Sequence, residues 1–180
     1  MRFLTLAKRA ALGLAAITLL SITPSAAQSA RIPDLGGAIA WLNSPPLSAS
    51  DLRGKVVLVD FWEYSCSNCL NTLPYLRNWY ARYHKDGFVI VGVHTNEFAW
   101  TGELPNVAAA VRRLGISWPV AVDTRHTIWN RYNTDAWPRE LLFDRTGRLL
   151  EDQVGEGSYG QIEANIRRAL ATGKEMRRKA

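Results

Sequence analysis

Two long, mainly apolar runs organise the pattern of this chain. Val56–Phe61 (Val-Val-Leu-Val-Asp-Phe) and Phe88–His94 (Phe-Val-Ile-Val-Gly-Val-His) are each bounded by turn-forming residues. Short runs without polar alternation predict buried strands. Between them, Leu70, Leu73, Leu76, Tyr80 and Tyr83 recur at helical spacing and predict a helix from about Cys69 to His84. Pro74 lies inside it, where the missing N–H should kink it. Thr95–Asn106 reads as a loop, and Val107–Leu114 as a short amphipathic helix ending at Gly115. Val120–Val122 predicts a short strand and Thr127–Tyr132 a turn or two of helix. Leu141–Phe143 and Arg148–Val154 flank Asp144-Arg145-Thr146-Gly147, a hairpin signal with glycine at its turn. Ser158 is placed to cap a last helix running to about Ala171, with Gly173 past its end. Nearer the start, residues 28–38 read as irregular, and Ala40-Trp41-Leu42 as a short strand stopped by Ser44-Pro45-Pro46.

The element order is therefore β-α-β-α-β-(α)-β-β-α. Alternating strands and helices followed by a hairpin and a helix predict an α/β fold, with a central mixed sheet and helices on both faces. No internal repeat and no second domain is visible. The expected division is a leader over 1–27, a lead-in over 28–46, one domain over 47–173 and a basic tail over 174–180.

The leader is read from Arg2, Lys8 and Arg9 ahead of an apolar stretch from Ala10 to Leu20, then small residues to a cleavage site ending at Ala27. That is the form of a secretory signal. The stretch is short and rich in Ala and Gly for a membrane span, although an uncleaved anchor is the alternative. Either way the domain is expected in the periplasm or otherwise outside the cytoplasm. The chain's net charge is +6, and loss of the leader removes three basic residues and no acid, leaving +3. Lys174, Arg177, Arg178 and Lys179 concentrate charge in the tail, which reads as a solvated segment. Nothing resembles a nucleic-acid-binding module. A monomer is expected.

The chain has two cysteines in 180 residues, and they form the motif Cys66-Ser67-Asn68-Cys69 at the junction between the first long strand and the first helix. A helix N-terminus presents unsatisfied N–H groups and a positive pole, an environment that favours thiolates. The i, i+3 spacing lets the two sulfurs meet within one turn. A pair so close cannot staple a fold. The plain alternatives are a structural disulfide or half a zinc site, but His84, His94 and His126 are scattered singly. No metal or other cofactor is called for. His94, at a strand end, is read as a packing or hydrogen-bonding residue. Asp60 interrupts an apolar strand, where burial raises a carboxyl's proton affinity and suits it to proton transfer with Cys69; a partly exposed, paired acid is the alternative.

On these residues the chain resembles thioredoxin-fold oxidoreductases of the extracytoplasmic TlpA/ResA type. Leu52-Arg53-Gly54-Lys55 leading into Val56–Trp62 is similar to that family's entry strand, and Cys66 and Cys69 fall where its redox pair belongs. The resemblance gives Asp60 the place of a buried acid and Pro74 that of the kink proline. It implies that Pro138, after Trp137, is a cis-proline, whose alternative is an ordinary trans turn. It also implies that Gly155 keeps a substrate groove open. Tyr64-Ser65-Cys66-Ser67-Asn68-Cys69-Leu70, Thr72-Leu73-Pro74-Tyr75, Gly92-Val93-His94-Thr95 with Glu97-Phe98, and Gly155-Glu156-Gly157 with Tyr159 narrow the likeness to the thioredoxin-like domain of DipZ-type cytochrome-biogenesis proteins. Ser65 stands where many relatives carry Trp, Ser67-Asn68 replaces Gly-Pro or Glu-Pro, and Thr72 stands where some cytochrome-maturation reductants carry Glu.

The implied activity is thiol–disulfide exchange with client proteins, as a reductant in cytochrome c maturation or a similar process, fed by a membrane dithiol donor of the DsbD/CcdA kind. Trp62, Trp100 and Trp137 are candidates to line a client groove with Tyr64, with core packing as the alternative; Trp62 continues a buried strand and is read as partly buried. Glu97, in the loop after the second strand, is a candidate for tuning the dithiol or a solvated acid. Two other functions compete. A dithiol module handling Cu(I) or apocytochrome usually wants a nearby His or Met, and the methionines are Met1 and Met176. A redoxin-type peroxidase needs a Pro-x-x-x-Thr-x-x-Cys frame, which the residues before Cys66 do not form.

Overall fold

The computed structural model describes residues 31–179, with side chains to residue 172. The leader, the start of the lead-in and the side chains of the tail lie outside the described residues. Ten regular elements follow in order: β1 Ala40–Leu42, β2 Val56–Trp62, α1 Ser67–Tyr83, β3 Phe88–His94, α2 Leu104–Arg113, β4 Val120–Val122, α3 Thr127–Arg131, β5 Arg139–Phe143, β6 Leu149–Val154 and α4 Tyr159–Lys179. The six strands form one sheet in the order β1-β4-β3-β2-β5-β6. β2, β3 and β4 run parallel, while β1, β5 and β6 are antiparallel to their neighbours. This is the α/β mixed sheet of the thioredoxin fold.

Strand β2 shows why the runs do not alternate. Successive side chains point to opposite faces, and both faces are covered. Val56, Leu58 and Trp62 join Leu73, Leu76 and Trp79 of α1, Val107 and Val111 of α2, and Ile162 and Ile166 of α4. Val57, Val59 and Phe61 face Leu35, Leu52, and Ile128 and Trp129 of α3. Asp60 therefore points to the α1 side, into the layer that holds Cys69.

Several features differ from expectation. Helix α2 begins at Leu104, because Pro105 sits in its first turn, where a helix needs no proline N–H. The expected loop Thr95–Asn106 also contains a 3-10 turn over Ala99–Gly102. Helix α4 continues through Gly173 to Lys179. One glycine costs a helix only about 1 kcal/mol relative to alanine, and the residues after it are good helix formers. The lead-in is part of the domain: β1 pairs with β4, and Leu35 is fully buried.

Candidate active site

Cys66 occupies the N-cap of α1 in extended conformation, and its Sγ accepts a hydrogen bond from the Cys69 amide at 3.3 Å. The cap role that serine or aspartate usually plays is taken by sulfur. The first turn of α1 carries no acid. Cys66 is half-buried, Cys69 is completely buried, and both are free thiols. Burial pushes the Cys69 thiol far up, reinforced by its bond to Cys66 and by the charges of Cys66 and Asp60, while the backbone of Glu63 pulls it down. One sulfur thus faces the surface, and the other needs a proton acceptor before it can react.

Asp60 is 1 % exposed, and burial raises its carboxyl to about 7. Its neighbour on β3 is Gly92. A side chain at Gly92 would begin 3.0 Å from the indole nitrogen of Trp62 and 3.3 Å from that of Trp118. Glycine there gives the two indoles their room beside Asp60. Trp62, only 1 % exposed, belongs to this packing and cannot line a client groove, which corrects the sequence reading. Asp60's neighbour on β5 is Glu140, also 1 % exposed.

The turn before α1 is tied down by Glu63. Its carbonyl accepts the Cys66 N–H at 3.3 Å, and its carboxylate accepts the N–H of Ser65 at 2.7 Å and the Ser65 hydroxyl. Its other carboxyl oxygen lies 3.8 Å from Nε2 of the fully buried His94, whose ring burial holds down to about 4. The Tyr64 ring stacks on His94 with centroids 5.4 Å apart. Tyr64 also meets Trp100 edge-on at 6.0 Å, and Trp100 stacks with Phe98 at 6.1 Å, both largely exposed.

The peptide bond Trp137–Pro138 is cis, as the resemblance implies. Pro138 is buried directly before β5, and its carbonyl accepts the N–H of Gly155 at 2.8 Å. Gly155 has φ +76°, which glycine adopts freely, and a Cβ there would meet open space. Trp137 is half-buried, its ring tilted at 36° against that of Trp129 with centroids 4.4 Å apart. Tyr64, Cys66, Trp137 and Tyr159 all pack as half-buried residues on the core layer that holds Cys69. Glu97 is exposed after β3 and makes no hydrogen bond or ion pair with the dithiol.

Sequence reasoning missed Glu63 and Glu140. The available signal for Glu140 was a lone acid two residues after Pro138, directly before Leu-Leu-Phe. For Glu63 it was an acid continuing an apolar strand. Among the described residues, no group of three or more His, Cys, Asp or Glu is arranged to hold a metal. No described helix is long and apolar enough to cross a membrane.

A model of the Redoxin family matches residues 27–170. Protein DipZ of Mycobacterium tuberculosis is 43% identical over 145 residues, which cover 79% of this chain and 21% of that protein. The chain thus spans about a fifth of the DipZ relative. The thiol-disulfide oxidoreductase ResA of Bacillus anthracis is 28% identical over 127 residues, covering 71% of this chain and 70% of that one. Among solved structures, a thiol:disulfide interchange protein of the thioredoxin family from Chlorobium tepidum is similar at a TM-score of 0.67 and 25% identity, over 80% of this chain and 98% of that one. With its dithiol at the head of α1 and its mixed sheet, the chain belongs to the redoxin family, as a thioredoxin-fold thiol–disulfide oxidoreductase of the TlpA/ResA type.

Proposed function

We propose that the protein works outside the cytoplasm as a reductant of client-protein disulfides, in cytochrome c maturation or a similar process. The supporting observation is the asymmetry of the pair: Cys66 half-exposed at the helix cap, Cys69 buried one turn deeper with Asp60 in the same layer. The Cys66 thiolate attacks one sulfur of the client disulfide. A mixed disulfide forms, and the client's other sulfur leaves as a thiolate. Cys69 gives its proton to the Asp60 carboxylate and attacks Sγ of Cys66. The intermolecular bond breaks, Cys66–Cys69 is oxidised by two electrons, and the client is released with both sulfurs reduced. A membrane dithiol donor of the DsbD/CcdA kind then returns two electrons to the pair.

Client chain docks along Tyr64, Trp137, Pro138 and Gly155, where the two aromatic side chains are partly open to contact. The likeness to DipZ and ResA supports the extracytoplasmic and reducing assignment.

The test combines a disulfide-bonded apocytochrome peptide with the reduction potential of the Cys66/Cys69 couple. Client reduction that Cys66→Ser abolishes, with a potential near thioredoxin's value of about −270 mV, is expected. A potential near the strongly oxidising value of about −120 mV would overturn the direction of transfer.

A further inference from the structure

Asp60 and Glu140 are register partners on antiparallel β2 and β5, so their side chains leave the same face of the sheet side by side. Both are 1 % exposed. Oδ1 of Asp60 and both carboxyl oxygens of Glu140 have no hydrogen-bond partner among the described residues. Among the described residues no ion pair reaches either acid: Arg139, the adjacent basic residue, spends its guanidinium on Asp152 and on the carbonyls of Tyr132 and Asn133. The groups around the pair are Cys69 from α1, Tyr159 from α4, and the unpartnered indole N–H groups of Trp62 and Trp118 over Gly92. The hydroxyl of Tyr159 is itself buried without a partner, and its proton is held more tightly because of burial and the charges of Glu156 and Glu140. Two adjacent carboxylates in such a layer cannot both remain charged at little cost.

We propose that Glu140 is a positioning residue for proton transfer: it stays protonated through the neutral range, so that the pair carries one proton while the dithiol is reduced and two once Cys69 has reacted. This rests on the exchange reaction proposed above and adds a second carboxyl to it. In the resolving step the Cys69 proton moves to Asp60 as Sγ of Cys69 bonds to Sγ of Cys66 and the client thiolate leaves. Both carboxyls are then neutral, and the charge has left with the client. The Asp60 proton afterwards passes to water or to a released thiolate. A charged Glu140 would put a second negative charge in this layer and oppose formation of the Cys69 thiolate. Burial, and after it the charge of Asp60, keeps the proton on Glu140.

The pair is tested by carboxyl titration of the reduced, isotope-labelled protein, followed by infrared or carbon NMR spectroscopy, and by the pH profile of resolution from a glutathione mixed disulfide at Cys66. Two separate carboxyl steps are expected in the neutral-to-alkaline range. Glu140→Gln removes the upper step and leaves the lower where it was. Asp60→Asn removes the lower and moves the remaining step to lower pH. The wild-type resolution rate falls off on the alkaline side as Glu140 ionises, and Glu140→Gln loses that decline. A Glu140 that titrates below pH 6, like a solvated carboxyl, overturns the proposal, as does a Glu140→Gln profile that overlays the wild type. The wild-type titration decides the matter even if the variants fold poorly. Because the titration needs no client, failure of client reduction with both steps intact counts against the reductant reading alone.

Discussion

The amide of Cys69 donates a hydrogen bond to the sulfur of Cys66 across the first turn of α1, at 3.3 Å. This bond supports negative charge on Cys66 while Cys69 itself stays buried and protonated. The two thiols are therefore chemically unequal before any client arrives.

From that inequality, Cys69→Ser should leave attack intact and block resolution. Incubated with a disulfide-bonded client, this variant is expected to accumulate a covalent adduct at Cys66, seen by mass spectrometry under non-reducing conditions. Cys66→Ser should give no adduct. An adduct on Cys69 in the Cys66→Ser protein would reverse the assignment of roles.

Stability should fall as pH rises across the neutral range. Asp60 and Glu140 hold their protons more tightly folded than unfolded, at about 7 and about 9 against ordinary values near 4. Their contribution is complete below about pH 4 and is lost as pH rises through the folded values. Each contributes a slope of at most about 1.4 kcal/mol per pH unit. His94 acts in the opposite sense: held down to about 4 from 6.5, it costs stability as pH falls through that window. Denaturant unfolding between pH 6.5 and 9 should show declining stability in the wild type and a flatter curve in Glu140→Gln. A wild-type stability that rises over this range contradicts the burial of both acids.

Gly92→Ala should destabilise by about 1–3 kcal/mol, the usual cost of forcing extra volume into a packed core. Its methyl would begin 3.0 Å from the Trp62 indole nitrogen. Tryptophan fluorescence should change together with the unfolding midpoint. A neutral substitution would mean that the indoles beside Asp60 move aside freely.

Glu63→Ala should cost about 1–3 kcal/mol, because the Ser65 N–H and hydroxyl lose their acceptor. Disulfide exchange should slow while both thiols remain titratable with a thiol reagent. Unchanged exchange and unchanged stability would show that the turn before α1 holds its shape without Glu63.

Much of the fold was legible because the signals were local. β3 and β4 fall on their apolar runs residue for residue, since a strand covered on both faces is apolar at nearly every position and does not alternate. The Cys-x-x-Cys pair and its place at a strand–helix junction were equally local. That Trp62 is fully buried, not groove surface, is not a local matter: its indole lies over Gly92, thirty positions further along the chain. Glu140 escaped notice because an acid near a strand start looks solvated until a neighbouring strand and two helices enclose it.

The sequence by itself determined which segments are strands and helices, and where the two thiols stand, because periodicity and end-of-helix chemistry act within a few residues. Only the tertiary structure decided that Asp60 faces Cys69's layer, that Glu140 lies opposite Asp60, and that Glu63 meets His94. Those relationships depend on strand order, register and shared burial. They are set by how distant segments exclude water together, and no single segment carries them.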